Sequence, residues 1–168
     1  MAESFTAGGI AVITGGASGI GRAAARRAAQ AGMRIVLIDV NTAKLAATAD
    51  ELSAVAGADH VRAEVLDVAD ASAMNALAQS VQSQWGSPTL LMNNAAFFVA
   101  GGAGGILDPI ENWQQTFAIN VLGPVNGVQA FLPGMLEAGK AGVIVNTGSK
   151  QGLTNPPAIR LTIPAKLP

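Results

Sequence analysis

The sequence contains no cysteine and no tyrosine, and its only histidine is His60. Without cysteine, the chain can form neither disulfides nor thiolate metal sites. A single histidine cannot form a metal cluster alone, and we interpret His60 as a residue at the edge of a strand. We therefore expect no metal site. The missing tyrosine also removes the phenol group from the candidate acids and bases.

Charge is scarce as well. Only 12% of the residues are charged, against about 25% in an average protein, so the surface is either poor in charge or covered. The formal net charge of −1 gives no argument for nucleic acid or an acidic membrane as a partner. No apolar run reaches the roughly 18 residues of a membrane span, and Met1–Ser4 lacks the basic residues of a signal peptide. A soluble, cytoplasmic protein is the expectation.

Glycine and alanine are plentiful, and one glycine-rich stretch is distinctive. The chain has 168 residues, enough for one domain with a sizeable core. The stretch Thr14-Gly15-Gly16-Ala17-Ser18-Gly19-Ile20-Gly21 follows the apolar run 10–13 and opens an alanine-rich helical segment. A strand, a glycine turn and a helix form a phosphate-binding unit, because the helix N-terminus offers unpaired N–H groups to an anion. The stretch therefore predicts a dinucleotide site.

The rest of the pattern alternates between strands and helices. We predict strands over 9–13, 34–38, 61–66, 89–92 and 142–146, and helices over 19–31, 42–55, 70–85 and 109–138. Arg62 and Glu64 interrupt the third strand, which we place at the sheet edge. Pro124 and Pro133 should each kink or end the last helix. The alternation predicts an α/β fold: a Rossmann-like, doubly wound parallel sheet of order 3-2-1-4-5 in three αβα layers.

Asp39 ends the second predicted strand, 18 residues after Gly21. In doubly wound sheets a carboxylate at this point accepts hydrogen bonds from the adenosine ribose and repels a 2′-phosphate. Asp39 is followed by Val40, and Gly19 is preceded by Ser18, so neither position carries a basic residue. The pattern therefore favours NAD over NADP. The alternative is a solvated Asp39 that caps the next helix.

Several motifs, taken together, resemble the short-chain dehydrogenase/reductase family over about residues 8–157. Residues 14–21 resemble the family's T-G-x-x-x-G-x-G signature, and Asp67-Val68 resembles the pair that holds the adenine ring. Asn93-Asn94-Ala95-Ala96 resembles N-N-A-G, with alanine in place of the usual glycine. Residues 117–121 carry the asparagine of the long helix, and residues 146–152 resemble the segment of the catalytic serine.

The resemblance implies hydride transfer between a nicotinamide cofactor and a secondary alcohol or ketone. It implies Ser149 and Asn120 as catalytic residues. The resemblance also implies a set of cofactor-binding residues: Gly15, Ser18, Gly19, Ile20, Gly21, Asp39, Asp67, Val68, Asn93 and Ala95. Three alternatives stay open: Asp67 as a helix cap, Ser149 as a helix cap, and Asn93 with Asn94 as only a structural turn. Full-length relatives are expected to be homo-oligomeric.

The chain departs from the family at the catalytic tyrosine. That tyrosine should lie 13 residues beyond Ser149, where this chain has Thr162, although Lys166 follows four residues later. A threonine hydroxyl is far too weak an acid to replace a phenol. The genetic code allows a DNA sequence for the tail, A-I-R-L-T-I-P-A-K-L-P, that changes meaning when the reading frame shifts. If one guanine nucleotide is added before it, the same bases encode G-N-P-A-Y-N-S-S-K-A-A, a family-like Y-x-x-x-K segment. The hypothesis is a one-base deletion near residue 158, in the gene or in its sequencing.

We therefore divide the chain into an NAD(P)-binding Rossmann domain, 1–157, that is incomplete at its C-terminal edge, and an aberrant tail, 158–168. The expectation is an inactive chain with bare apolar surface and a tendency to aggregate. One alternative is a non-catalytic dinucleotide-binding module. A methyltransferase of similar topology is disfavoured, because the motifs at Asn93, Asn120 and Ser149 have no place in it.

Overall fold

Five parallel strands form one sheet of order β3-β2-β1-β4-β5 in the computed structural model, which describes residues 5–98 and 108–149. The strands are β1 (Ile10–Thr14), β2 (Arg34–Asp39), β3 (Val61–Val65), β4 (Leu90–Asn93) and β5 (Val143–Asn146). The helices are α1 (Gly19–Gln30), α2 (Thr42–Ala56), α3 (Ala71–Gln84), α4 (Ile110–Phe117) and α5 (Gly123–Glu137). The predicted fold class and strand order are confirmed.

Two apolar clusters, one on each face of the sheet, form the core. Side chains of β1 alternate between them, so that Ile13 packs towards α1 and α2 and Val12 packs towards α3 and α5. Both side chains are fully buried. The central strands are nearly continuous apolar runs because both of their faces are covered. This arrangement gives the three layers expected from the sequence.

Side-chain caps fix where α2 and α3 begin. Asn41 Oδ1 accepts a hydrogen bond from the Lys44 N–H at 3.0 Å, which confirms the predicted cap of α2. Asp70 Oδ1 accepts one from the Ala73 N–H at 2.9 Å. Such caps satisfy N–H groups that have no acceptor within the helix. These two helices therefore begin three residues after Asp39 and four residues after Asp67.

The long helix predicted over 109–138 is interrupted. A five-residue π-helical segment, Ala118–Leu122, separates α4 from α5. Pro124 has no N–H for the carbonyl of Asn120, four residues earlier, and its ring crowds that carbonyl, so a wider turn relieves the conflict. Of the two alternatives for Pro133, the one in which it ends the helix is wrong, because α5 continues through it to Glu137, close to the predicted end at 138. Pro133 lies on the exposed side of α5, as does Gln129 one turn earlier.

The two edges of the sheet differ. The predicted edge position of β3 is confirmed, and His60 ends a short 3-10 turn, Ala58–His60, directly before it. In the described part of the chain, β5 pairs only with β4. Large apolar side chains are exposed on the α4–α5 segment, among them Ile110, Leu122 and Leu136. Residues 99–107 of the glycine-rich stretch and the tail 158–168 lie outside the described residues.

Candidate functional site

A cavity of about 490 Å³ opens at the carboxyl ends of β1, β2 and β4. This is where doubly wound sheets bind ligands, because the strand order reverses beside β1. Gly15, Asp39, Asp67, Val68 and Ala95, all predicted to bind a cofactor, line it. Gln115 and Ile119, which the sequence did not indicate, close one side. Its volume is typical of a small-molecule site.

Two glycines shape the turn from β1 into α1 for different reasons. Gly19 has a φ of +53°, a left-handed conformation, and an added Cβ would find open space there. At Gly21 a Cβ would meet the Gly15 carbonyl oxygen at 2.2 Å. Gly21 therefore permits close packing within the turn, whereas Gly19 leaves the helix N-terminus uncovered. An uncovered N-terminus is what an incoming phosphate requires.

Directly before Gly19, Ser18 occupies the N-cap position of α1 in an extended conformation, and its side chain makes no capping hydrogen bond. Ile20 is 64% exposed. The first turn of α1 contains no acidic residue. The beginning of α1 thus presents its positive dipole end without a side chain of opposite charge.

Asp39 is held in place by main-chain donors. Its Oδ2 accepts a hydrogen bond from the Ala17 N–H at 3.1 Å, and its Oδ1 accepts one from the Asn41 N–H at 3.0 Å. Asn41, not Asp39, is the cap of α2. Each carboxylate oxygen retains a further lone pair for an outside donor. The residue is partly buried, so its charge lies at the rim of the cavity.

Asp67 and Val68 face the cavity from the end of β3. Asp67 is exposed, and its Oδ1 accepts from the Ala69 N–H at 2.9 Å in a local turn. The cap of α3 is Asp70, so Asp67 does not perform that role. Val68 is 5% exposed, and its carbonyl accepts a hydrogen bond from Asn126 Nδ2 at 2.9 Å. Val68 is thus held by α5.

The two asparagines after β4 have separate roles. Asn93 is 4% exposed, and its Nδ2 donates to Asn146 Oδ1 at 2.9 Å, which ties β4 to β5. Asn94 Nδ2 donates to the Thr14 carbonyl at 3.2 Å and approaches the Gly15 carbonyl at 3.4 Å. Asn94 therefore braces the glycine turn. Asn93 lies beneath α5 and does not line the larger cavity.

Ser149 and Asn120 line a second, smaller cavity of about 90 Å³. Ala95 and Ala96 line both cavities, so the two are neighbours. Asn120 comes from the π-helical segment, and Ser149 follows β5 and is exposed. The structure thus brings together the two predicted catalytic residues beside the predicted cofactor cavity.

Sequence reasoning missed three residues that position this site. Thr14 Oγ1 accepts hydrogen bonds from the N–H groups of Asn94 and Ala95 at 2.9 and 3.0 Å. Asn126 holds the Val68 carbonyl. Thr48 Oγ1 donates to the Ala17 carbonyl at 3.1 Å. One signal was available for Thr48: it stands between Leu45 and Leu52 in the apolar stripe of α2, where a hydroxyl needs a partner.

The sheet order and the glycine turn at its switch point define a dinucleotide-binding Rossmann protein. The family model for short chain dehydrogenase matches residues 9–160. The chain belongs to the short-chain dehydrogenase family, a family of oxidoreductases. It is 41% identical over 138 residues to the Probable oxidoreductase EphD of Mycobacterium tuberculosis, covering 82% of this chain and 22% of that protein. It is 36% identical over 150 residues to a Sorbitol dehydrogenase of Cereibacter sphaeroides, covering 86% of this chain and 54% of that protein.

Solved structures agree. A short chain dehydrogenase/reductase from Burkholderia phymatum in complex with NAD superposes with a TM-score of 0.84 at 39% identity, covering 93% of this chain and 54% of that one. A metagenomic short-chain oxidoreductase in complex with NADP superposes with a TM-score of 0.80 at 34% identity, covering 92% of this chain and 67% of that one. The chain thus spans about a fifth to a half of the two curated relatives' lengths. Among the described residues, no helix is long and apolar enough to cross a membrane.

Proposed function

We propose that the larger cavity binds NAD(H) in preference to NADP(H), and that the chain descends from an oxidoreductase of secondary alcohols or ketones. The observation that carries the preference is Asp39, fixed at the cavity rim by two main-chain N–H groups. Asp39 and Asp67 are the charged side chains of the described lining, which contains no lysine or arginine. Two carboxylates and no cation disfavour a 2′-phosphate.

The residues present fit a dinucleotide. The open space above Gly19 and the first turn of α1 suit the pyrophosphate, since both leave main-chain N–H groups accessible. Asp39 has free lone pairs for the ribose hydroxyls. Val68 offers an apolar surface for the adenine ring. A bound nicotinamide cofactor would supply the hydride donor or acceptor.

The residues for the substrate's oxygen are incomplete. Ser149 could donate a hydrogen bond to that oxygen, and Asn120 lies in the same small cavity. Hydride addition to a ketone leaves an alkoxide, which needs a proton donor of matched acidity. The family's tyrosine has no counterpart, because the corresponding residue is Thr162, outside the described residues. We therefore propose that the chain binds the cofactor but turns over slowly or not at all.

We further propose that residues from about 158 onward reflect a one-base change in the reading frame. The support is the tail sequence, which decodes to a family-like Y-x-x-x-K segment when shifted. The coding DNA tests this directly. Codons that do not restore that segment in another frame would contradict it, and the second candidate, a binding module that has dispensed with catalysis, would then gain support.

Isothermal titration of the full chain with NADH and NADPH tests the main proposal. We expect measurable NADH binding and weaker NADPH binding. Absence of NADH binding by a folded chain, verified by circular dichroism, would contradict it. A parallel assay with NAD and a panel of secondary alcohols should show little turnover. Any turnover seen should fall in Ser149→Ala, and turnover unaffected by this change would refute the role of Ser149.

A further inference from the structure

The peptide groups of Ala17 are held from both sides by side chains of other elements. Its N–H donates to Asp39 Oδ2 at 3.1 Å, and its carbonyl accepts from Thr48 Oγ1 at 3.1 Å. Ala17 is 4% exposed and Thr48 is 2% exposed, so the bond between them is shielded from water, whereas Asp39 lies at the cavity rim. Thr48 lies on α2, 31 residues further along the chain.

The glycine turn has other anchors, but they lie before this point. The Gly16 N–H donates to the Ile38 carbonyl at 3.1 Å, and Asn94 Nδ2 approaches the Gly15 carbonyl at 3.4 Å. Thr48 therefore provides the last anchor before α1 begins at Gly19. The next part of the chain is the helix N-terminus that the proposed function assigns to the pyrophosphate.

Peptide planarity connects Thr48 to that N-terminus. The Ala17 carbonyl and the Ser18 N–H belong to one planar trans peptide, so they point in opposite directions. When Thr48 fixes the carbonyl on the side of α2, it also fixes the Ser18 N–H on the opposite side. Rotation of this peptide would change the direction of a donor at the start of α1 and expose a carbonyl oxygen instead.

A purely structural role for Thr48 explains less. In helices a threonine hydroxyl commonly bonds to a carbonyl of its own preceding turn. Here it bonds across to the glycine turn. A valine has nearly the same shape and would fill the apolar stripe between Leu45 and Leu52 equally well, without a hydroxyl to satisfy. The hydroxyl is thus accounted for by its contact with Ala17.

We propose that Thr48 is a positioning residue for the pyrophosphate-binding turn, acting through the Ala17–Ser18 peptide. The inference rests on the proposed cofactor site and adds a residue on α2 that does not touch the cofactor. Loss of the hydroxyl should weaken the binding of ligands that carry the pyrophosphate. Binding of the adenosine portion, which depends on Asp39, Asp67 and Val68, should change little.

The binding test compares Thr48→Val with Thr48→Ser, which keeps the hydroxyl, and with Leu52→Val, a packing control on the same helix. Both variants and the control are titrated with NADH and with adenosine. Thr48→Val should lower the NADH affinity about three- to tenfold, the equivalent of one net hydrogen bond. Adenosine affinity should stay within about twofold. Thr48→Ser and Leu52→Val should match the parent for both ligands. Unchanged NADH binding in Thr48→Val, or an equal loss for both ligands, would overturn the proposal.

Amide hydrogen exchange of the ligand-free chain provides a readout that does not need the cofactor. Thr48→Val should accelerate exchange of the Ala17 amide, which is bonded to Asp39, about three- to tenfold, whereas Thr48→Ser should not. Leu52→Val should affect α2 and leave exchange of the Ala17 amide close to that of the parent. If the parent fails to bind NADH, the proposed function fails while this measurement still decides the role of Thr48. Unchanged exchange at Ala17 would overturn that role even if NADH binds.

Discussion

The side-chain amide of Asn120 holds the main chain of Phe97 at two points. Asn120 Oδ1 accepts the Phe97 N–H at 2.7 Å, and Asn120 Nδ2 donates to the Phe97 carbonyl at 3.0 Å. The π-helical segment that carries Asn120 thereby fixes the chain that leaves β4 between the two cavities. An asparagine is unfavourable within a helix, and this paired contact accounts for its presence.

Asn120→Ala should release Phe97. We expect amide exchange at Phe97 to rise about tenfold or more and the free energy of unfolding to fall by about 1–2 kcal/mol, because two hydrogen bonds are lost. Hydrogen exchange followed by mass spectrometry and urea unfolding would measure both. Asn75→Ala, at an exposed asparagine on α3, is the matched control: it should leave exchange at Phe97 unchanged and should not lower the free energy of unfolding, because alanine is the better helix former. A Phe97 amide equally protected in Asn120→Ala would show that the loop is held by something else.

Asp39→Asn should alter the balance between the two cofactors. The asparagine Oδ1 can still accept one main-chain N–H, but the negative charge that opposes a 2′-phosphate is gone. We expect NADH affinity to fall about tenfold, the equivalent of one charged hydrogen bond, and the NADH to NADPH ratio to fall with it. Fluorescence titration with both cofactors measures the ratio.

Asp59→Asn removes the same charge from an exposed site outside the cavity and serves as the control for Asp39. It should leave the NADH to NADPH ratio unchanged. A ratio that changes equally in both variants would mean that net charge, not the position of Asp39, determines the preference.

Much of the site was predictable because its residues follow directly from strand ends. Asp39 and the turn 14–21 lie where a buried apolar run stops, and parallel strands bring their carboxyl ends to one edge of the sheet. Spacing along the chain therefore translated into position in space. The strand order and the cap at Asn41 were predicted by the same local reasoning.

The contacts that position the site were not predictable in this way. Thr48 with Ala17 and Asn126 with Val68 join elements that are far apart in sequence, and only the packed helices determine which hydroxyl or amide reaches which carbonyl. The alternative that Pro133 ends the helix was wrong for a related reason. A proline within a helix is tolerated when its side faces water, and the sequence does not state which side of Pro133 is exposed.

Glu51 and Leu52 are neighbours on α2 that should respond differently to substitution. Glu51 pairs with Arg22 and Arg26 across the exposed surface of α1, whereas Leu52 is fully buried. Surface ion pairs contribute about 0–1 kcal/mol, and a buried leucine truncated to alanine costs about 2–5 kcal/mol. Glu51→Gln should therefore lower the free energy of unfolding by less than about 1 kcal/mol, whereas Leu52→Ala should lower it several times more. Urea unfolding of both variants measures this, and equal losses would show that the contact between α1 and α2 depends on the ion pairs.

Two helical glycines, Gly21 and Gly134, should differ in their tolerance of alanine. Gly21→Ala places a Cβ 2.2 Å from the Gly15 carbonyl oxygen, a main-chain atom that cannot rotate away, so the turn itself must shift. In Gly134→Ala the Cβ would lie 3.2 Å from Gln82 Oε1, the end of a flexible side chain. Because alanine favours a helix by about 1 kcal/mol over glycine, Gly134→Ala should leave stability unchanged or slightly raised.

Gly21→Ala should lower the free energy of unfolding by about 1–3 kcal/mol through overpacking and should abolish measurable NADH binding. Thermal unfolding and NADH titration of both variants measure the difference. If Gly21→Ala bound NADH like Gly134→Ala, close packing at Gly21 would not be what forms the cofactor turn.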